Sequence, residues 1–116
     1  GIRDPYRPGL AASLTVQGRE AVVTSGTYER WRVLDGQRCS HILDPVTGAP
    51  AAGLDSVTVV HRSAALADAA ATALLVAGPA RWPSVARRMG VDQVLVIDRD
   101  GHRYASPKLA PRLSLA

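Results

Sequence analysis

Phenylalanine is absent from these 116 residues, and two Trp and three Tyr make up the whole aromatic complement. The core must therefore be built from Ala, Val and Leu. Cysteine is nearly absent as well: Cys39 stands alone, which excludes an internal disulfide and any cysteine-rich zinc site, and its ordinary role is that of a small buried hydrophobe. No run of about eighteen uncharged apolar residues occurs, because Asp68 interrupts the longest candidate, so no segment reads as a membrane-spanning helix. No signal peptide is visible, and the chain starts Gly-Ile-Arg-Asp-Pro without an initiator Met, as a piece of a longer protein would. Lysine is almost missing too. One Lys stands against thirteen Arg, giving a net charge of +4 that is nearly all guanidinium, a group suited to bidentate phosphate binding. A basic nucleic-acid-binding domain ranks behind that reading, since the arginines are spread along the chain, interleaved with Asp and Glu, and lack stacking aromatics. No Ser-His-Asp order, zinc spacing, Walker loop or GxGxxG is present.

What remains is globular composition, 47% apolar with 21% charged residues, in a length that makes one domain with its own core. Ile2 to Leu10, with two prolines and a glycine, reads as irregular. Ser13 to Gln17 and Glu20 to Thr24 are short β-prone runs about Gly18, a hairpin by spacing. Arg30 to Leu34 and Gln37 to Leu43 flank Asp35-Gly36, a strong hairpin signal because both turn residues tolerate positive φ. Asp55 to Arg62 is the next strand, with Val57 and Val59 on a buried face and Ser56 and Thr58 on a more polar one. Ser63 caps a helix over Ala64 to Ala77 that Gly78-Pro79 ends, and a second helix runs from about Ala80 to Met89, with Pro83 in its opening turn and Gly90 beyond its end. Val94 to Asp98 and His102 to Ala105 close a last hairpin about Asp100-Gly101. The expected class is α+β, two helices packed on a mainly antiparallel sheet, with no internal repeat.

The first helix holds only two polar residues, Asp68 and Thr72, among fourteen. A helix apolar on every side is normally buried, so Asp68 is expected to be a buried carboxylate that must be paired, hydrogen-bonded or metal-bound. Asp68 and Thr72 share one helix face, and a carboxylate beside a hydroxyl offers oxygen ligands of the kind Mg²⁺ or Ca²⁺ accepts. The alternative is structural: Asp68 bonded to a neighbouring turn and Thr72 to its own helix carbonyl.

Other polar residues gather at loops. Thr24-Ser25-Gly26-Thr27-Tyr28 reads as a loop after a strand end, suited to phosphate through backbone and hydroxyl contacts, or as an ordinary turn. Ser40-His41-Ile42-Leu43-Asp44-Pro45-Val46-Thr47-Gly48 contains good turn chemistry, which gives Asp44 a structural alternative. His41, before that loop, is placed to accept a proton from a hydroxyl nucleophile or to be merely hydrogen-bonded. His61 and His102 have no evident partner.

In order and spacing, Thr24-Ser25-Gly26-x-Tyr28-x-Arg30, Gly36, Ser40-His41-Ile42-x-Asp44-Pro45-x-Thr47-Gly48-x-Pro50, Ser56-Val57-Thr58-Val59 and Ala67-Asp68-x-x-x-Thr72-Ala73-Leu74 with Gly78 resemble the ApbE family of flavin transferases. The resemblance spans about Gly1 to Ser106. It implies Mg²⁺-dependent transfer of FMN from FAD to a threonine hydroxyl of an acceptor flavoprotein, with release of AMP; some members instead hydrolyse FAD. It further implies Asp68 and Thr72 as metal ligands, His41 as the active-site histidine, and Thr24, Ser25, Gly26, His41 and Asp44 beside the flavin nucleotide. Much of the family is extracytoplasmic or membrane-associated.

Three positions depart from the family's habit: Val46 where Arg or Lys is frequent, Cys39 where an aromatic is usual, and Thr27 where Asp or Asn is common. A non-catalytic FAD- or FMN-binding module and an FAD pyrophosphatase are the rival readings. The resemblance covers only the C-terminal part of the family's length. Residues 1–116 are thus expected to hold an incomplete active site, inactive alone, with apolar surface that a homodimer would cover.

Overall fold

The computed structural model describes residues 2–3, 10–16, 18–26, 32–34, 37–39 and 53–115. Strands β1 (Ile2–Arg3), β2 (Leu10–Ser13), β3 (Ala21–Gly26), β4 (Arg32–Leu34), β5 (Gln37–Cys39) and β6 (Leu54–His61) lead into helices α1 (Ala64–Ala77) and α2 (Trp82–Arg88). Strands β7 (Val94–Asp98), β8 (Arg103–Ala105) and β9 (Ser114–Leu115) follow. The main sheet has the order β3-β6-β7-β8 with every neighbouring pair antiparallel. Both helices pack on one of its faces, as the α+β reading expects. Asp35-Gly36 separates paired strands with Leu34 opposite Gln37. The hairpin about Asp100-Gly101 likewise forms, with Ile97 opposite Arg103.

Local signals set the helix limits. Ser63 Oγ accepts the Leu66 N–H at 3.1 Å, and Gly78, at φ 84°, ends α1 by donating its N–H to the Leu74 carbonyl. Pro83 lies in the first turn of α2, which is shorter than the expected Ala80 to Met89, and Gly90 follows at φ 72°.

Two arrangements differ from the sequence expectation. Ser13 to Gln17 and Glu20 to Thr24 form no hairpin with each other: β2 pairs with β1 and β9, whereas β3 pairs with β6. Part of the supposedly irregular segment, Ile2–Arg3, is accordingly a strand. The second difference concerns β6, whose Ser56/Thr58 face is not solvated. Val57 and Val59 join Val94, Val96 and the helices in one core, while Val60 and Leu95 pack on Ile2, Ala12 and Leu109 in another. The small β1-β2-β9 sheet therefore covers the second face. Ser56 and Thr58 are 1% and 0% exposed. Alternation of polarity identified the two faces correctly, but it registers side-chain type and not whether another layer lies above.

The tail that closes this layer has no counterpart in the sequence reading. A 3₁₀ turn at Ala110–Arg112 delivers Arg112 between three segments. Its Nη1 donates to Glu20 Oε2 (2.9 Å) and Gln93 Oε1 (2.6 Å), and its Nη2 to Glu20 Oε1 (2.7 Å) and the Thr15 carbonyl (3.0 Å). These bonds to Glu20 raise the guanidinium above its ordinary value.

Gly53 joins the layers at the start of β6. At φ 99° its Cα faces Pro79, and an added Cβ would lie 2.6 Å from Pro79 Cδ. Gly53→Ala combines a left-handed alanine with an overlap at the turn that ends α1, so a loss of about 1–3 kcal/mol is expected in urea unfolding of the full-length protein. An unchanged midpoint and slope would show that the turn after α1 yields freely.

Candidate functional site

Alternation along β3 sorts its side chains between the two layers. Ser25 is opposite Val57, a member of the helix-side core, and two residues from Val23, which packs against that same core. Ser25 therefore faces α1. Thr24 is opposite Thr58 and faces the other way, its Oγ1 2.8 Å from Thr58 Oγ1. The expected loop over Thr24-Ser25-Gly26 is in fact the end of β3, and strand pairing is what separates adjacent hydroxyls that a loop would have grouped.

On the helix side, Ser25 Oγ lies 3.3 Å from Thr72 Oγ1 of α1. Asp68 is one turn earlier on the same helix face, at a Cβ separation of about 5–6 Å for such a pair. Asp68 and Thr72 are both exposed, which corrects the expectation of a buried carboxylate. The buried residues of α1 are Ala67, Ala70, Ala71, Leu74 and Leu75, a stripe of helical period, while Ala64, Ala65 and Ala69 lie with Asp68 on the outer side. Alanine on both sides of the helix conceals that stripe in the sequence. Neither structural alternative for the pair is realised. Among the described residues Asp68 has no hydrogen-bond or ion-pair partner, and Thr72 bonds Ser25.

The structure thus brings together Ser25, Thr72 and Asp68, and turns Thr24 away from them. Gly26 ends the strand opposite Ser56. His41 and Asp44 lie outside the described residues. The link between Ser25 and Thr72 escaped the sequence reading because 47 positions separate them. Strand period alone could have separated Ser25 from Thr24. Also missed was the burial of Ser56, whose Oγ has no hydrogen-bond partner among the described residues.

The donor set on α1 fits a hard divalent cation. It offers a carboxylate that is unpaired among the described residues and a hydroxyl, both oxygen donors, on an exposed face. A second acidic group, Asp98, Asp100 and His102, has ligand atoms within 4.8 Å of one another. Its bonds are those of a turn: Asp98 Oδ1 accepts the Asp100 and His102 N–H groups, each at 2.9 Å, and His102 Nδ1 is 3.5 Å from Asp98 Oδ2. His102 thus has a partner after all. So does His61, whose Nδ1 accepts the Ser63 N–H at 2.9 Å at the start of α1.

Comparison with known proteins shows what the chain is similar to. The sequence profile of the ApbE family matches residues 1–95. A protein named FAD:protein FMN transferase from Rhodobacter capsulatus is 47% identical over 112 residues, which are 97% of this chain and 21% of the relative. Its namesake from Treponema pallidum is 44% identical over 99 residues, 83% of this chain and 27% of the relative. Among solved structures, the ApbE protein of Thermotoga maritima superposes with a TM-score of 0.85 at 36% identity, covering 97% of this chain and 37% of that one. The flavin transferase ApbE of Vibrio cholerae gives 0.65 at 41% identity, over 80% of this chain and 30% of that one. The chain therefore spans about a fifth to two fifths of the relatives it matches. With a family profile over most of its length and a shared fold at this level of identity, the chain belongs to the ApbE family.

Proposed function

We propose that this chain is the C-terminal part of an enzyme that transfers FMN from FAD to a threonine hydroxyl of an acceptor flavoprotein, with Mg²⁺ held at Asp68 and Thr72. The observation that carries the reading is the contact of Ser25 with Thr72, one helical turn from Asp68 on the same face of α1, in a chain whose curated relatives are named FAD:protein FMN transferases. Asp68 and Thr72 would hold the Mg²⁺, which would supply neutralisation of pyrophosphate charge. Gly26, Asp44, Thr24 and Ser25 are assigned to the nucleotide, Thr24 and Ser25 through their backbones because their hydroxyls are engaged by Thr58 and Thr72. His41 accepts the proton of the attacking threonine. The threonine oxygen then bonds to the FMN phosphorus as the bond to the AMP oxygen breaks, and AMP leaves with that electron pair.

Because the relatives are several times longer, the complete site is assigned to this chain together with further protein, and residues 1–116 alone are expected to transfer no flavin. The test is incubation of the full-length protein with FAD, Mg²⁺ and a threonine-bearing flavoprotein domain, followed by mass analysis of that domain and assay of AMP. A gain of one FMN per acceptor with equimolar AMP is expected. AMP and free FMN without acceptor labelling would make the protein an FAD pyrophosphatase, and FAD binding with no AMP a flavin-binding module.

A further inference from the structure

Thr72 is a neutral ligand with one hydrogen, and where that hydrogen goes decides how well it binds a cation. A helical threonine usually gives its hydroxyl hydrogen to the carbonyl four residues earlier, here that of Asp68 itself. The structure places a second hydroxyl beside it. Thr72 Oγ1 is 3.3 Å from Ser25 Oγ, on a strand whose register with β6 is set by six successive residue pairs from Ala21 to Gly26. Among the described residues, the register partner of Ser25 is Val57 and its same-face strand neighbour is Val23, both apolar.

We infer that Ser25 is a positioning residue for the metal site: it accepts the Thr72 hydrogen and so leaves the Thr72 lone pairs to the cation. This rests on the assignment of Asp68 and Thr72 as metal ligands. A cation on Thr72 Oγ1 makes that hydroxyl a stronger donor, so the bond to Ser25 and the bond to the metal reinforce each other. Ser25 thereby couples β3 to the helix that carries the ligands. Outer partners of this kind commonly change metal affinity by about 10–100-fold when removed.

The test measures metal binding directly, by Mn²⁺ electron paramagnetic resonance of the full-length protein with Mg²⁺ competition, and circular dichroism checks that each variant is folded. Ser25→Ala is expected to weaken binding by about 10–100-fold, and Ser25→Thr, which keeps the hydroxyl on a strand that tolerates β-branching, to stay close to the parent. The Ser25→Ala/Thr72→Val double variant is expected to bind no more weakly than Thr72→Val alone, because Ser25 acts through Thr72. If Ser25→Ala binds like the parent while Thr72→Val is weakened, the positioning role is wrong although the metal site stands. Additive losses in the double variant would also overturn it, by making Ser25 a ligand in its own right. If Asp68→Ala and Thr72→Val both bind like the parent, the metal assignment itself falls and the positioning role falls with it.

Discussion

In the full-length protein, Asp68→Ala is expected to abolish FMN transfer and the response to Mg²⁺ while leaving the fold as stable as before. Asp68 is exposed and unpartnered among the described residues, so its removal breaks no folded-state contact there. Surface changes of this kind stay within about 0.5 kcal/mol, and alanine is the better helix former. The catalytic loss comes from the charge. Stabilisation of a pyrophosphate transition state by a cation is worth several kcal/mol, and each 1.4 kcal/mol is tenfold in rate, so a fall of about a thousand-fold or more is expected. Thr72→Val, which keeps shape and deletes a neutral ligand, should weaken metal binding less. Transfer rates measured against Mg²⁺ concentration, with thermal melts on the same samples, check both. Equal rates for Asp68→Ala and parent at saturating Mg²⁺ would remove Asp68 from the metal site.

His41→Ala is expected to act on rate more than on FAD binding. A general base contributes about a hundred- to ten-thousand-fold, and the threonine nucleophile is a poor one until its proton has an acceptor. FAD affinity, measured by flavin fluorescence, should stay near the parent value while turnover falls within that range. If affinity collapses and the turnover of bound FAD is preserved, His41 holds the nucleotide and the proton goes elsewhere.

Much of the architecture was legible from local chemistry. Ser63 and Gly78 bracket α1 at the expected residues, and Asp35-Gly36 and Asp100-Gly101 each separate paired strands. A cap or a tight turn is decided by a few adjacent residues, so sequence suffices there. The pair Asp68 and Thr72 was legible too, as the only polar residues of α1, but its environment was not. Alanine is small enough to lie on either side of a helix, so Ala64, Ala65 and Ala69 read as core although they face outward. The Arg112 clamp on Glu20 was invisible because 92 positions separate its ends.

By itself the sequence determined the α+β class, the limits of α1, two hairpins and membership in a family whose motifs it carries in order, all of which depend on residue type at short range. Only the tertiary structure decided that β6 is covered on both faces, that α1 presents Asp68 and Thr72 outward, and that Ser25 rather than Thr24 meets them. Each of those facts is a consequence of which strand lies beside β6 and which layer lies above it. Pairing of that kind is settled by burying apolar area between distant segments, where one residue of register exchanges the two faces of a strand.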